Sequence, residues 1–158
     1  MLLKEFQSIE KIDNGYYVYG DAADIKIIFM TDDIIRIRVS FNREWEEESY
    51  ALVMTAWKDR LDHLFLDERK QIKALDIPYV ETKNEITFHT QTLKLVMHKS
   101  PLYFSIYQPN GEKLYSDLPM RAFEQDHLGR VFHYNEIDFK NDHFYGFGEK
   151  TGNLDKKG

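Results

Sequence analysis

No cysteine occurs in the 158 residues. Disulfide staples and thiolate zinc sites are therefore excluded, and the composition suits a reducing cytoplasm, which is the expected location. Long apolar runs are missing too. The richest stretches, around Ile25 to Met30 and Ala51 to Trp57, contain Lys26 and Thr55 and fall far short of the ~20 residues that span a bilayer. The amino terminus, Met1-Leu2-Leu3-Lys4-Glu5-Phe6, loses its apolar character at Lys4, so no signal-peptide core is read there. A soluble protein with no membrane partner is expected. Positive charge is also in deficit: a net charge of −6 removes the electrostatic term on which nucleic-acid binding depends, and no nucleic-acid partner is expected.

Catalytic signatures are scarce as well. The chain has no Gly-x-Ser-x-Gly elbow, no P-loop and no cysteine nucleophile. Gly146-Phe147-Gly148 opens like a phosphate loop, but a dinucleotide fingerprint needs a third glycine at its set spacing, a helix and a later acid; Glu149 and Lys150 follow instead. The histidines His63, His89, His98, His127, His133 and His143 form no metal-ligand pattern. His133 and Glu136, three apart on an expected strand, point to opposite faces. No metal and no other cofactor is expected. With 27 acidic residues, neighbouring carboxylates arise by chance, so none is singled out as catalytic.

What the chain does have is aromatic mass, 15% of its residues, and large flat side chains pack well on strand faces. Ile25, Ile27 and Phe29 alternate with Lys26 and Ile28; after Asp32-Asp33, Ile35, Ile37, Val39 and Phe41 alternate with Arg36, Arg38 and Ser40. These read as a hairpin with one buried face. Tyr16 to Tyr19 is a strand after the turn Asp13-Asn14-Gly15, and Tyr50 to Trp57 another. Lys58 to Lys70 reads as a short helix on the spacing of Leu61, Leu64 and Phe65, or else an edge strand around His63 to Leu66. Gln71 to Leu75, Pro78 to Thr82, Glu85 to Thr90 and Thr92 to His98 are strands, and Pro101 opens the next. Asn110-Gly111 predicts a type I′ hairpin turn. Gly129 to Phe139 reads as a long strand and His143 to Gly146 as a last short one. Short strands at near-regular spacing predict an all-β antiparallel β-sandwich with at most one or two short helices, a single domain over residues 1–158.

Two loops carry side chains worth weighing. Trp45, within Asn42-Arg43-Glu44-Trp45-Glu46-Glu47-Glu48-Ser49, is either a platform for a sugar ring or a residue folded back on the sandwich. Asp126, within Arg121 to Arg130, reads on local chemistry as an Asp-His turn capping its own backbone.

The carboxyl-terminal stretch Tyr145-Gly146-Phe147-Gly148-Glu149-Lys150-Thr151-Gly152-Asn153-Leu154-Asp155-Lys156-Lys157-Gly158 resembles the junction motif of glycoside hydrolase family 31, the α-glucosidase and α-xylosidase family. Thr90 to Met97, Ser100 to Tyr107 and Asn110 to Leu114 resemble central strands of the same amino-terminal domain. The resemblance implies a galactose mutarotase-like β-sandwich that hands over to a (β/α)8 catalytic barrel. Such a barrel takes ~250 residues, so it is expected to lie beyond this chain, with the nucleophile and acid/base on its strands. This segment alone is expected to be inactive, with no catalytic residue. The resemblance further implies a retaining enzyme acting on α-linked oligosaccharides, an α-glucosidase or α-xylosidase. In several members a loop of this domain sends an aspartate into the sugar pocket, and Asp126 is the matching candidate for substrate binding. The expected partners are the oligosaccharide and the intramolecular barrel. Two other readings stand beside this one: a stand-alone carbohydrate-binding module, and a homo-oligomer formed through Phe144, Tyr145 and Phe147.

Overall fold

The structure is a computed structural model and describes residues 1–45, 75–138, 142–145 and 155. Its first sheet is an antiparallel meander of β1 (Phe6–Ile12), β2 (Gly15–Gly20), β3 (Asp24–Thr31) and β4 (Ile34–Ser40), in that spatial order. The middle strands keep the period of two: Tyr16, Val18, Ile25, Ile27 and Phe29 are buried, while Tyr17, Tyr19, Lys26 and Ile28 are partly exposed. At the β1–β2 turn Asn14 takes a φ of 39° and donates through Nδ2 to Phe29 O at 2.9 Å. Gly15 follows because a Cβ there would meet Ile27 O at 2.0 Å. β1 falls where the sequence shows little alternation. Its register slips between Phe6 and Ser8, and this bulge lets Phe6 and Ile9, three apart, both pack on the core.

The second sheet runs β5 (Tyr79–Glu81), β6 (Glu85–His89), β7 (Lys94–Lys99), β8 (Leu102–Tyr107) and β9 (Lys113–Ser116), again antiparallel and in chain order. A two-stranded ribbon, β10 (Phe123–Gln125) and β11 (Val131–His133), completes the set. Ile86, Phe88, Leu95, Met97, Leu102 and Phe104 of the second sheet share one core with Val18, Ile25, Ile27 and Phe29 of the first. Phe88 is the keystone, its ring 5.1 Å from Tyr16 and 5.5 Å from Phe29. Removing one such side chain from water contributes ~1.5–3 kcal/mol, and each sheet supplies the other's shelter. The chain is thus an all-β sandwich; among the described residues every named strand pairing is antiparallel and no helix occurs. No helix among them is long and apolar enough to cross a membrane.

Three expectations need correction. Of the long strand over Gly129 to Phe139, whose last residue lies outside the described ones, only Val131–His133 forms: Tyr134 N still donates to Ala122 O in the ribbon's register, but the chain then turns to a new partner, Leu118 N donating to Tyr134 O and Glu136 N to Ser116 O. Residues 142–145 carry no strand. The turn at Asn110-Gly111 is framed one residue earlier: Gly111 N donates to Gln108 O, so Pro109 and Asn110 are its central pair, and only Gly111 has positive φ, 90°. Pro109 enforces this, since its φ is locked near −65° and suits the first central position of a type I turn. The strand Tyr50 to Trp57, the helix Lys58 to Lys70, most of Gln71 to Leu75 and the glycine motif from Gly146 onward lie outside the described residues.

Candidate functional site

The β10–β11 ribbon carries Asp126 at its head. Its base is sewn to the amino terminus, with Leu3 N donating to Phe123 O and Gln125 N to Met1 O. Its tip is a tight turn in which Gly129 N donates to Asp126 O and Asp126 N to Arg130 O, with Gly129 at a φ of 79°. The carboxylate of Asp126 is folded into this turn: Oδ1 accepts from Leu128 N and Arg130 N, each at 2.9 Å, and Oδ2 accepts from Arg130 Nε at 2.7 Å. Loss of water around the carboxyl opposes its ionisation, yet the bonds from Arg130 and Leu128 outweigh it and hold the group below the usual carboxylate range. The side chain is 17% exposed.

Facing the ribbon tip is the loop that leaves β4. Ser40 Oγ donates to Asn42 Oδ1 at 2.7 Å, Glu44 N also donates to Asn42 Oδ1, and Arg43 takes a left-handed φ of 61°. Between this loop and the ribbon lies a cavity of about 340 Å³, lined by Arg38, Ser40, Asn42, Glu44 and Trp45 on one side and by Gln125, Gly129 and Val131 on the other. Its wall combines hydroxyl, amide, carboxylate, guanidinium and indole groups, which hydrogen-bond and stack on polar rings, with the apolar side chains of Val39, Phe41 and Val131.

Trp45 folds back onto the outer face of the first sheet. Its Nε1 donates to Tyr17 Oη at 2.6 Å, and Lys26 Nζ and Arg38 Cζ sit 4.8 and 5.4 Å from its ring. Tyr17, Lys26 and Arg38 lie side by side in register, which builds the seat. Tyr17 in turn reaches the buried Asp24.

At the other end of the ribbon lies a cluster that the sequence did not suggest. Asp117, 1% exposed, accepts from Phe104 N at 2.8 Å through Oδ2, and through Oδ1 from Tyr115 Oη and from His133 Nε2 at 2.7 Å. Burial and the neighbouring carboxylate push the Tyr115 phenol far up, so it remains a donor. The His133 ring lies flat on Phe123 at 4.7 Å. The other described histidines are scattered. His98 stacks on Tyr103 at 3.9 Å, its pKa lowered by burial against the pull of Glu85, and His143 pairs with Asp155. Glu136 turns to Lys113 rather than to His133. Among the described residues no group of three or more His, Asp or Glu is placed to hold a metal ion.

Comparison with known proteins adds a name to this arrangement. Residues 24–158 match the family described as the glycosyl hydrolase 31 N-terminal galactose mutarotase-like domain. Alpha-glucosidase 2 of Bacillus thermoamyloliquefaciens is 31% identical over 146 residues, which cover 92% of this chain and 16% of that protein. A GH31 dextranase of Flavobacterium johnsoniae, solved in complex with glucose, superposes with a TM-score of 0.78 at 20% identity, over 99% of this chain and 18% of its own. The cycloalternan-forming enzyme of Listeria monocytogenes, solved with a pentasaccharide substrate, gives 0.68 at 15% identity, over 98% of this chain and 14% of its own. The two structures share the fold. The chain belongs to the amino-terminal galactose mutarotase-like domains of glycoside hydrolase family 31.

Proposed function

We propose that this family 31 domain is the amino-terminal part of a retaining α-glucosidase that removes terminal α-linked glucose from oligosaccharides. The observation that carries the reading is the 31% identity to an alpha-glucosidase across nearly the whole chain. In this scheme the catalytic barrel supplies two carboxyl groups ~5–5.5 Å apart, one attacking the anomeric carbon and the other protonating the leaving oxygen and then activating water. The present domain supplies neither. It braces the barrel and lends the ribbon tip to the rim of the sugar pocket. Exposed Leu118, Met120, Leu128 and Phe132 support a bracing role, since large apolar side chains on one ribbon and the chain leading into it suit a covered surface.

Within the tip, Asp126 shapes the turn through Oδ1 and offers Oδ2, which Arg130 Nε already approaches, to a sugar hydroxyl. Assays of the full-length enzyme test both levels. Maltose and isomaltose should release glucose with its α configuration kept; release of β-glucose, or hydrolysis only of α-xylosides, would refute the glucosidase reading. Asp126→Asn keeps the Oδ1 acceptor while losing the charge, and Asp126→Ala loses both. A raised KM in each variant is expected, whereas wild-type kinetics in the Asn variant would reduce Asp126 to a turn former.

A further inference from the structure

We infer that the Tyr115–Asp117–His133 cluster is a positioning latch that sets where the ribbon tip stands against the sugar pocket. Strand geometry carries the argument. Phe123 pairs with His133 and Gln125 with Val131, and residues two apart on a strand share a face. One face of the ribbon therefore holds two consecutive cross-strand pairs with different duties. The Phe123/His133 pair is bolted down, by the stacked rings and by the bond from His133 Nε2 to Asp117. The Gln125/Val131 pair, one step toward the tip, lines the cavity. Any tilt about the first pair displaces the second.

Backbone bonds from Leu3 N to Phe123 O and from Gln125 N to Met1 O tie β10 to the amino terminus; the bolt adds a polar side-chain anchor on β11. Of the ribbon's strand residues only Phe123 belongs to the core, and Val131 and Phe132 are exposed. Asp117 is anchored independently, since Oδ2 takes Phe104 N of β8 and its own N donates to Phe104 O. A buried carboxylate must be matched by donors, and Tyr115 and His133 meet on its remaining oxygen within 2.9 Å of each other. Losing the His133 donor loosens β11, which the amino-terminal bonds on β10 do not reach, while the sheet stays folded.

This inference rests on the reading that the tip lines the substrate pocket, and its test separates the two. In the full-length enzyme, His133→Phe keeps the stack on Phe123 and drops the donor, whereas His133→Gln restores an N–H. His133→Phe should raise KM for maltooligosaccharides about fivefold, the size expected from one lost hydrogen bond, at unchanged kcat. His133→Gln should recover most of that. A fall in kcat alone that follows the lost folded fraction, or no rescue by Gln, would mark His133 as merely structural and overturn the latch. If Gln125→Ala and Val131→Ala leave KM untouched, the pocket reading fails and the latch falls with it; if they raise KM and His133→Phe does not, only the latch fails. Should His133→Phe not fold, Tyr115→Phe removes a donor from the same oxygen and must raise KM in the same direction for the inference to stand.

Discussion

The turn over Gln108 to Glu112 and the turn over Asp126 to Arg130 share one backbone. In each, the fourth residue is a glycine at positive φ whose N–H reaches the first residue's carbonyl, and the first residue's N–H reaches the fifth residue's carbonyl. They are held by different means. The first uses Pro109, which narrows the chain's choices before folding, and Asn110 Oδ1, which accepts from Glu112 N at 2.9 Å. The second has no proline and uses the Asp126 carboxylate as an internal scaffold with three donors. Restraint by covalent geometry is indifferent to charge; restraint by an ionised side chain is not. The turn placed next to the cavity is the one that can be altered by charge.

The largest expected effect erases the contrast. Phe88→Ala empties the centre of the shared core and should cost ~3–5 kcal/mol in urea unfolding, with both turns losing amide protection at one midpoint. Separate midpoints would show that the ribbon is not part of the same cooperative unit. Next come Gly111→Ala and Gly129→Ala. No atom lies within 4 Å of either added Cβ, so the penalty is conformational, ~1–2 kcal/mol each; a clear inequality would break the claim of a common backbone. Smaller still is an exchange of devices: Pro109→Ala should destabilise by ~0.4–1 kcal/mol, and His127→Pro, which copies the proline onto the second turn, should stabilise by a similar amount. The smallest effect is local and acid-driven. Because the Asp126 carboxyl is held below its ordinary value, its contribution is present above the unfolded value of ~3.9 and is lost as pH falls through the lower folded value. Amide shifts of Leu128 and Arg130 should move together below about pH 4, while that of Gly111 stays put.

Much of the framework could be read beforehand, and the failures have physical causes. Ile25, Ile27 and Phe29 announced their strand because nothing interrupts β3 there. β1 escaped notice because its bulge turns a period of two into the three-residue spacing of Phe6 and Ile9. Asn110-Gly111 located a hairpin, but Pro109 shifted its frame. For Asp126, local chemistry foresaw the turn and not the ion pair with Arg130 that completes it. Trp45 could be weighed only as two alternatives, since its seat on Tyr17, Lys26 and Arg38 belongs to three strands.

Alternation, turn residues and the restricted φ of proline act between neighbours in the chain, and they alone determined that this protein is an antiparallel sandwich with a loop at Asp126. The cavity and the latch had to wait for packing. Residues 38 to 45 meet residues 125 to 131 only after two sheets close on Phe88, and Asp117 finds His133 sixteen positions away only because β9 and the ribbon converge. Contacts of that kind depend on which faces are buried together, a property of the assembled layers rather than of any stretch of residues.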